Sequence, residues 1–188
     1  MDQRALRQRR GPAPPRRLVR LLAGASVAAA CAVATTTGGE PTLGAAPTPA
    51  SGEDFTGRID IGNGRRIHLE CRGRGTPTVL LLSGLDAAAD LWDRPGQPEP
   101  RVLTEVARTA RVCAYDRPGT PTAAGLPSRS DPVPQPTVTR DAVSDLHALL
   151  RAAALPGPYV LVGHSYAGLV ARLYASTHPD EVAGMVLV

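Results

Sequence analysis

Gly163-His164-Ser165-Tyr166-Ala167-Gly168 sets a hydroxyl among small residues, after the apolar run Tyr159–Val162 and before a stretch with helical periodicity. A serine at a strand-to-helix junction is where an acyl-transfer nucleophile is needed. The tight turn strains the serine backbone and holds Oγ out over the sheet edge, and small residues at Gly163 and Ala167 let strand and helix approach. The G-x-S-x-G pattern asks for glycine at its fifth position. Ala167 is the mildest departure, and Gly168 follows directly. Tyr166 N–H, at the helix start, is then one donor to a developing oxyanion. A second donor is expected from the loop after an earlier buried strand, where Ser83-Gly84-Leu85-Asp86 offers Gly84 or Leu85.

Such a serine needs a base for its proton and an acid to orient that base. The chain has four histidines. His164 neighbours Ser165, and adjacent strand residues point to opposite faces, so it is expected to pack. His68 falls in a hairpin and His147 on an amphipathic helix. His178, with Asp180 and Glu181, follows the helix that Ser165 opens; at about 1.5 Å per residue it should lie nearly 20 Å away. None is expected to serve Ser165. The histidines show no metal-ligand spacing, so neither metal nor cofactor is expected.

The elements that must position the serine can be read from periodicity. Thr56–Ile61 and Arg65–Gly73 alternate around Gly62-Asn63-Gly64, which predicts a hairpin. Thr78–Gly84 is a near-continuous apolar run suited to a strand buried on both faces. Val102, Leu103 and Val106 repeat at helical spacing within 101–110, and Arg111–Asp116 reads as another buried strand. The Pro/Ser-rich stretch 117–136 cannot be regular structure. Thr137 or Thr139 then caps a predicted helix whose stripe is Val143, Leu146, Leu149 and Leu150. Strand Tyr159–Gly163, a helix from Tyr166 and strand Val182–Val188 complete the order. Buried strands alternating with amphipathic helices predict an α/β fold: an antiparallel hairpin, then a mostly parallel sheet with flanking helices. Ligands on such sheets sit beyond the strands' carboxyl ends, after Ser83-Gly84, Asp116 and Ser165.

All 21 basic residues are arginine, and the formal net charge of +4 has a local source. Seven arginines precede the apolar run Leu21–Ala34, opposed only by Asp2. A basic start, a short apolar run and small residues at Ala32 and Ala34 predict a secretory signal over 1–34, with Arg16-Arg17 as a loose twin-arginine variant. Its removal leaves 14 arginines against 16 acids, which ends any case for nucleic-acid binding. Ala-Ala-Ala-Cys31 is a rival lipid-anchor reading, and a membrane partner is expected only if Cys31 is lipidated. An Arg-rich tail with an Ala-rich helix is a third. Residues 35–54 are small, polar and Pro/Gly-rich and predict a flexible linker, with the folded domain over 55–188.

With these pieces in order from about Thr56 to Val188, the chain resembles the α/β-hydrolase superfamily of serine esterases, lipases and peptidases. The matching stretches are Gly163–Gly168, the strand-loop Val79–Trp92, where relatives commonly have His-Gly and this chain has Ser83-Gly84, Arg111–Gly119 and His178–Val188. The resemblance implies Ser165 as nucleophile, the Leu85 and Tyr166 backbone amides as the oxyanion hole, and a small-molecule ester or amide substrate. It implies a structural role for Asp116 and Arg117. It also implies that acid and histidine follow further strands, so that 55–188 is the N-terminal part of the domain, incomplete at its C-terminal end. Catalysis by this polypeptide alone is then expected to be lost or severely impaired, and Val182–Val188 to form an apolar sheet edge. A relic fragment and a non-catalytic ligand-binding α/β module stay as alternatives. The family's strand order would set Cys71 beside Cys113, as a disulfide in an oxidising compartment or as two buried thiols. Trp92, Tyr166 and the Pro-rich loop are the candidate pocket walls and suggest an apolar acyl group.

Overall fold

The computed structural model describes residues 48–94, 96 and 101–188. The expected signal sequence, Cys31 and most of the expected linker lie outside the described residues. Six strands form one sheet: β1 (Phe55–Asp60), β2 (Arg66–Arg72), β3 (Thr78–Leu82), β4 (Val112–Tyr115), β5 (Tyr159–Gly163) and β6 (Val182–Leu187). Their spatial order is β1-β2-β4-β3-β5-β6. The hairpin β1/β2 and the β2/β4 pair are antiparallel, whereas β4, β3, β5 and β6 run parallel. The fold class read from the periodicity is the fold observed.

Alternation along the strands divides the core. Leu80, Leu82, Cys113, Tyr115 and Leu161 face one side, where α2 (Thr139–Ala152) and α3 (Ala167–Thr177) cover them. Leu81, Val112 and Ala114 face the other, under α1 (Val102–Val106) and the 3₁₀ turn Ala89–Asp93. Both faces of the central strands are thus dry, which is why their sequences are nearly continuous apolar runs. The stripe Val143, Leu146, Leu149, Leu150 is buried as its spacing requires. At the β6 edge the covering ends, and Met185, Val186, Leu187 and Val188 are exposed.

Three details depart from the sequence reading. The helix over 101–110 is short, Val102–Val106, and continues as turns. Neither threonine caps α2. Its N-cap is Val138, whose N–H donates to Asp141 Oδ2 at 3.0 Å, and Thr139 Oγ1 lies 3.2 Å from the Tyr166 hydroxyl. The Asp141 carboxylate at the third helical position instead accepts from the N-cap residue's own N–H, which is the other half of a capping box, and no N-cap side chain serves the first turn. Trp92, expected in a pocket wall, is only 7% exposed and packs with Leu81 and Leu103.

Residues ahead of β1 also belong to the packed domain: Pro49 is buried and its carbonyl accepts from Arg111 Nη2 at 2.8 Å. Cys71 and Cys113 are direct partners across β2 and β4 and are joined by a disulfide. Along the same side of β2, β4 pairs only with Leu69–Arg72. Where it stops, the irregular stretch 128–131 takes over: His68 N–H donates to Ser130 Oγ at 2.9 Å, Asp131 N–H to the Arg66 carbonyl at 2.9 Å, and Arg66 N–H to Asp131 Oδ2 at 2.7 Å.

Candidate active site

Ser165 stands between β5 and α3 with φ of 55°, a left-handed conformation that costs a non-glycine residue about 1–3 kcal/mol and persists only where the surroundings impose it. They do so closely here. A Cβ on Gly163 would come within 2.8 Å of the Ala167 carbonyl oxygen and 2.9 Å of Gly168 N, so only glycine lets the helix return so near the strand. His164 N–H donates to the Leu82 carbonyl at 3.0 Å, and Ser165 N–H to the Val188 carbonyl at 2.8 Å. The helix then starts at once, with Ala167 N–H on His164 O at 3.0 Å and Gly168 N–H on Ser165 O at 2.9 Å. The serine itself is exposed.

The loop after β3 lies against this turn. A Cβ on Gly84 would sit 3.4 Å from Ser165 Cβ and 3.0 Å from His164 Nδ1, so the missing side chain is what admits the serine. Arg117, buried behind the loop, donates through Nη1 to the Ser83 carbonyl (2.9 Å) and through Nη2 to the carbonyls of Gly84 (2.6 Å) and Leu85 (2.8 Å). In a trans peptide the N–H opposes the C=O. With the Gly84 carbonyl turned onto Arg117, the Leu85 N–H is turned away from it. Among the described residues neither Leu85 N–H nor Tyr166 N–H has an acceptor. Arg117 also spans both donors, its Cζ lying 5.0 Å from the centroid of the Tyr166 ring, a cation–π contact. That reach, thirty-odd residues back along the chain, had no signal in the sequence beyond a lone arginine after a strand.

Asp116 is fully buried and fully occupied: it accepts from Ala89 N–H at 3.0 Å and from Arg129 Nε and Nη2 at 2.7 Å each. Burial opposes its charge, yet the Arg129 fork and the backbone N–H groups outweigh that and hold its pKa below the ordinary value. It is an anchor for the loop. His68 is buried in β2, and burial pushes its pKa down, so it stays neutral. His164 packs edge-on to Trp92 at 6.3 Å, with Nδ1 buried and without a partner. His147 and His178 stack on each other beyond the far end of α3, eleven residues or about 16 Å from the turn. Among the described residues no hydrogen bond joins a histidine to Ser165.

Comparison with known proteins also points to this fold. The family model described as alpha/beta hydrolase fold matches residues 77–188.

This chain belongs to the α/β-hydrolase family.

Among curated relatives, the hydrolase chain is 34% identical over 122 residues to a pimeloyl-[acyl-carrier protein] methyl ester esterase of Chromobacterium violaceum, covering 65% of this chain and 40% of that one. It is 30% identical over 137 residues to a Hormonema carpetanum protein named "Probable transporter efuK", covering 70% and 18%. Among solved structures it is similar to a thermophilic esterase from Thermogutta terrifontis, with TM-score 0.54, 26% identity and coverage of 71% and 44%. The α/β-hydrolase chain thus spans well under half the length of these relatives.

Proposed function

We propose that the chain supplies the nucleophile and oxyanion hole of a serine hydrolase acting on small-molecule esters or amides. The observation that carries this is the strained Ser165 turn with two acceptor-free N–H groups, Tyr166 and Leu85, on its two sides. Ser165 Oγ forms the bond to the carbonyl carbon as its proton passes to a base. The carbonyl π pair moves onto oxygen, where both N–H groups and the N-terminus of α3 stabilise the charge. Collapse of that intermediate expels the alcohol or amine and leaves an acyl-serine for water. The ester-hydrolase name of one relative and the esterase among the solved structures support an ester first.

None of the four histidines is placed to take the serine's proton, so base and orienting acid come from outside the described residues. With the base missing, turnover falls by about 10⁶ relative to a complete triad, leaving about 10³–10⁴ over water from the hole. That histidine placement also favours the second reading, a non-catalytic α/β module that binds a ligand at the same turn. Export is part of the proposal, supported by the basic-apolar start and by the Cys71–Cys113 disulfide, which persists in oxidising compartments.

A fluorophosphonate probe separates the readings. Slow covalent labelling that maps to Ser165 and vanishes in Ser165→Ala supports the nucleophile, since the hole speeds attack even without the base; a folded chain that labels no faster than Ser165→Ala supports the binding module. Export is checked on the secreted product, whose first residue should be Thr35.

A further inference from the structure

At the C-terminal end of α3 the packing of α2 against α3 gathers three ionisable side chains that the sequence keeps 31 and 3 residues apart. The His147 and His178 rings stack at 4.0 Å with an angle of 14° between their planes. His147 Nε2 lies 3.2 Å from Glu181 Oε1, and one donor atom from each of the three residues falls within 4.8 Å of the others. Glu181 Oε2 is held by the Tyr174 hydroxyl. That fixes the carboxylate and leaves Oε1 to face the imidazoles.

We propose that His147, His178 and Glu181 form a binding site for a divalent transition-metal ion, with zinc the best match. Two imidazoles and one carboxylate suit zinc, whereas calcium and magnesium want oxygen ligands throughout. Ligand bonds of about 2.0–2.1 Å in a tetrahedron set neighbouring ligand atoms about 3.3 Å apart, and His147 Nε2 and Glu181 Oε1 already stand at 3.2 Å. The ion replaces the hydrogen bond between these two atoms: His147 binds as the tautomer with its proton on Nδ1 and its Nε2 lone pair on the ion, and any proton displaced passes to water. In the stack the two ring planes are nearly parallel, and lone pairs in parallel planes do not converge on one ion. The His178 ring must therefore turn out of the stack. It is half-buried, and among the described residues its nitrogens make no hydrogen bond that would resist the turn. The Tyr174 hydroxyl is then an outer partner that orients the ligating carboxylate, and water fills the fourth position. The C-terminal end of α3 carries the negative end of the helix dipole, which also favours a cation there.

The three ligands come from α2, from the residue after α3 and from the 3₁₀ turn Pro179–Glu181 that leads into β6. An ion would tie these together where β6 is otherwise held mainly by β5. Its part is that of a staple, about 16 Å of helix away from Ser165. This inference does not depend on the serine chemistry.

The full chain carrying Cys31→Ser, which removes the one cysteine outside the disulfide, is titrated with Co²⁺ and then with competing Zn²⁺. The expected results are one ion per chain, visible d–d bands of the tetrahedral type, and a thermal midpoint that rises with zinc. His147→Gln and His178→Gln should each weaken zinc by at least about 10-fold. His178→Gln is the decisive variant, because it removes no hydrogen bond among the described residues; the metal-free midpoint, which loses only the ring stack on His147, is measured beside the zinc affinity so that the two effects are told apart. Zinc binding by His178→Gln equal to the parent's, or a parent chain with no stoichiometric cobalt band, overturns the site.

Discussion

The two ends of α3 are built on opposite plans. At its start the chain is strained and polar hydrogens go unused: Ser165 sits at positive φ, and among the described residues the Tyr166 and Leu85 N–H groups have no acceptor. At its finish the carboxylate is already partnered, with Glu181 shared between Tyr174 and His147. The helix field points the same way as this division, favouring an anion near Tyr166 and a cation near His178. A binding site for a transient charge must leave its hydrogen bonds unmade until the charge arrives. A cluster that holds elements together makes them in advance.

The difference is broken most completely by Ser165→Ala, which should abolish fluorophosphonate labelling and leave zinc affinity at the far end unchanged, read by mass spectrometry and by cobalt absorption. Next comes Arg117→Met. Freeing the Ser83, Gly84 and Leu85 carbonyls should cost the Leu85 donor and slow labelling by about 10²-fold. Arg117→Lys should restore little of it, since one ammonium cannot reproduce the fork that spans three carbonyls. A labelling rate unchanged in Arg117→Met would show the loop to be held by other means.

Smaller effects fall on stability. Gly163→Ala sets a methyl against the Ala167 backbone and should cost about 1–3 kcal/mol in urea unfolding. Tyr174→Phe removes the hydroxyl from Glu181 and should cost about 1.5–3 kcal/mol, without effect on labelling. The smallest effect is the pH dependence of Glu181. Burial raises its pKa, but the Tyr174 hydroxyl and then His147 outweigh that and hold it below the ordinary value. A folded pKa below the unfolded one stabilises above the unfolded pKa and is lost as pH falls through the folded one. In a chelator, the stability gap between the parent and Glu181→Gln should be full at neutral pH and close in acid. A gap that widens in acid contradicts this.

What could be read without coordinates follows from what is local. The period-2 hairpin, the doubly buried strands and the stripe on α2 each write their burial into neighbouring residues, and the glycine-flanked Ser165 writes its turn. Arg117, by contrast, acts on carbonyls at 83–85, and an arginine's partners across space leave no spacing in the chain. The His147, His178, Glu181 cluster depends on how two helices meet, which the spacing of histidines along the chain does not carry. Trp92 was misplaced because an aromatic after a glycine loop looks the same in sequence whether it lines a pocket or fills a core. Neither threonine before α2 serves as its cap, because the helix opens on Val138 and its buried stripe, not a capping hydroxyl, fixes where it starts.

The Pro/Ser-rich stretch between β4 and α2 divides into two functional lengths. Residues 122–126 close a small turn of their own, with Thr122 N–H on Leu126 O at 2.9 Å and Gly125 N–H on Thr122 O at 2.8 Å, and they face solvent at 123–126. Residues 128–131 instead complete the edge of β2 after β4 has ended. A tag or fluorophore inserted between Ala124 and Gly125 is therefore carried as cargo, whereas the same insertion between Ser130 and Asp131 opens the sheet.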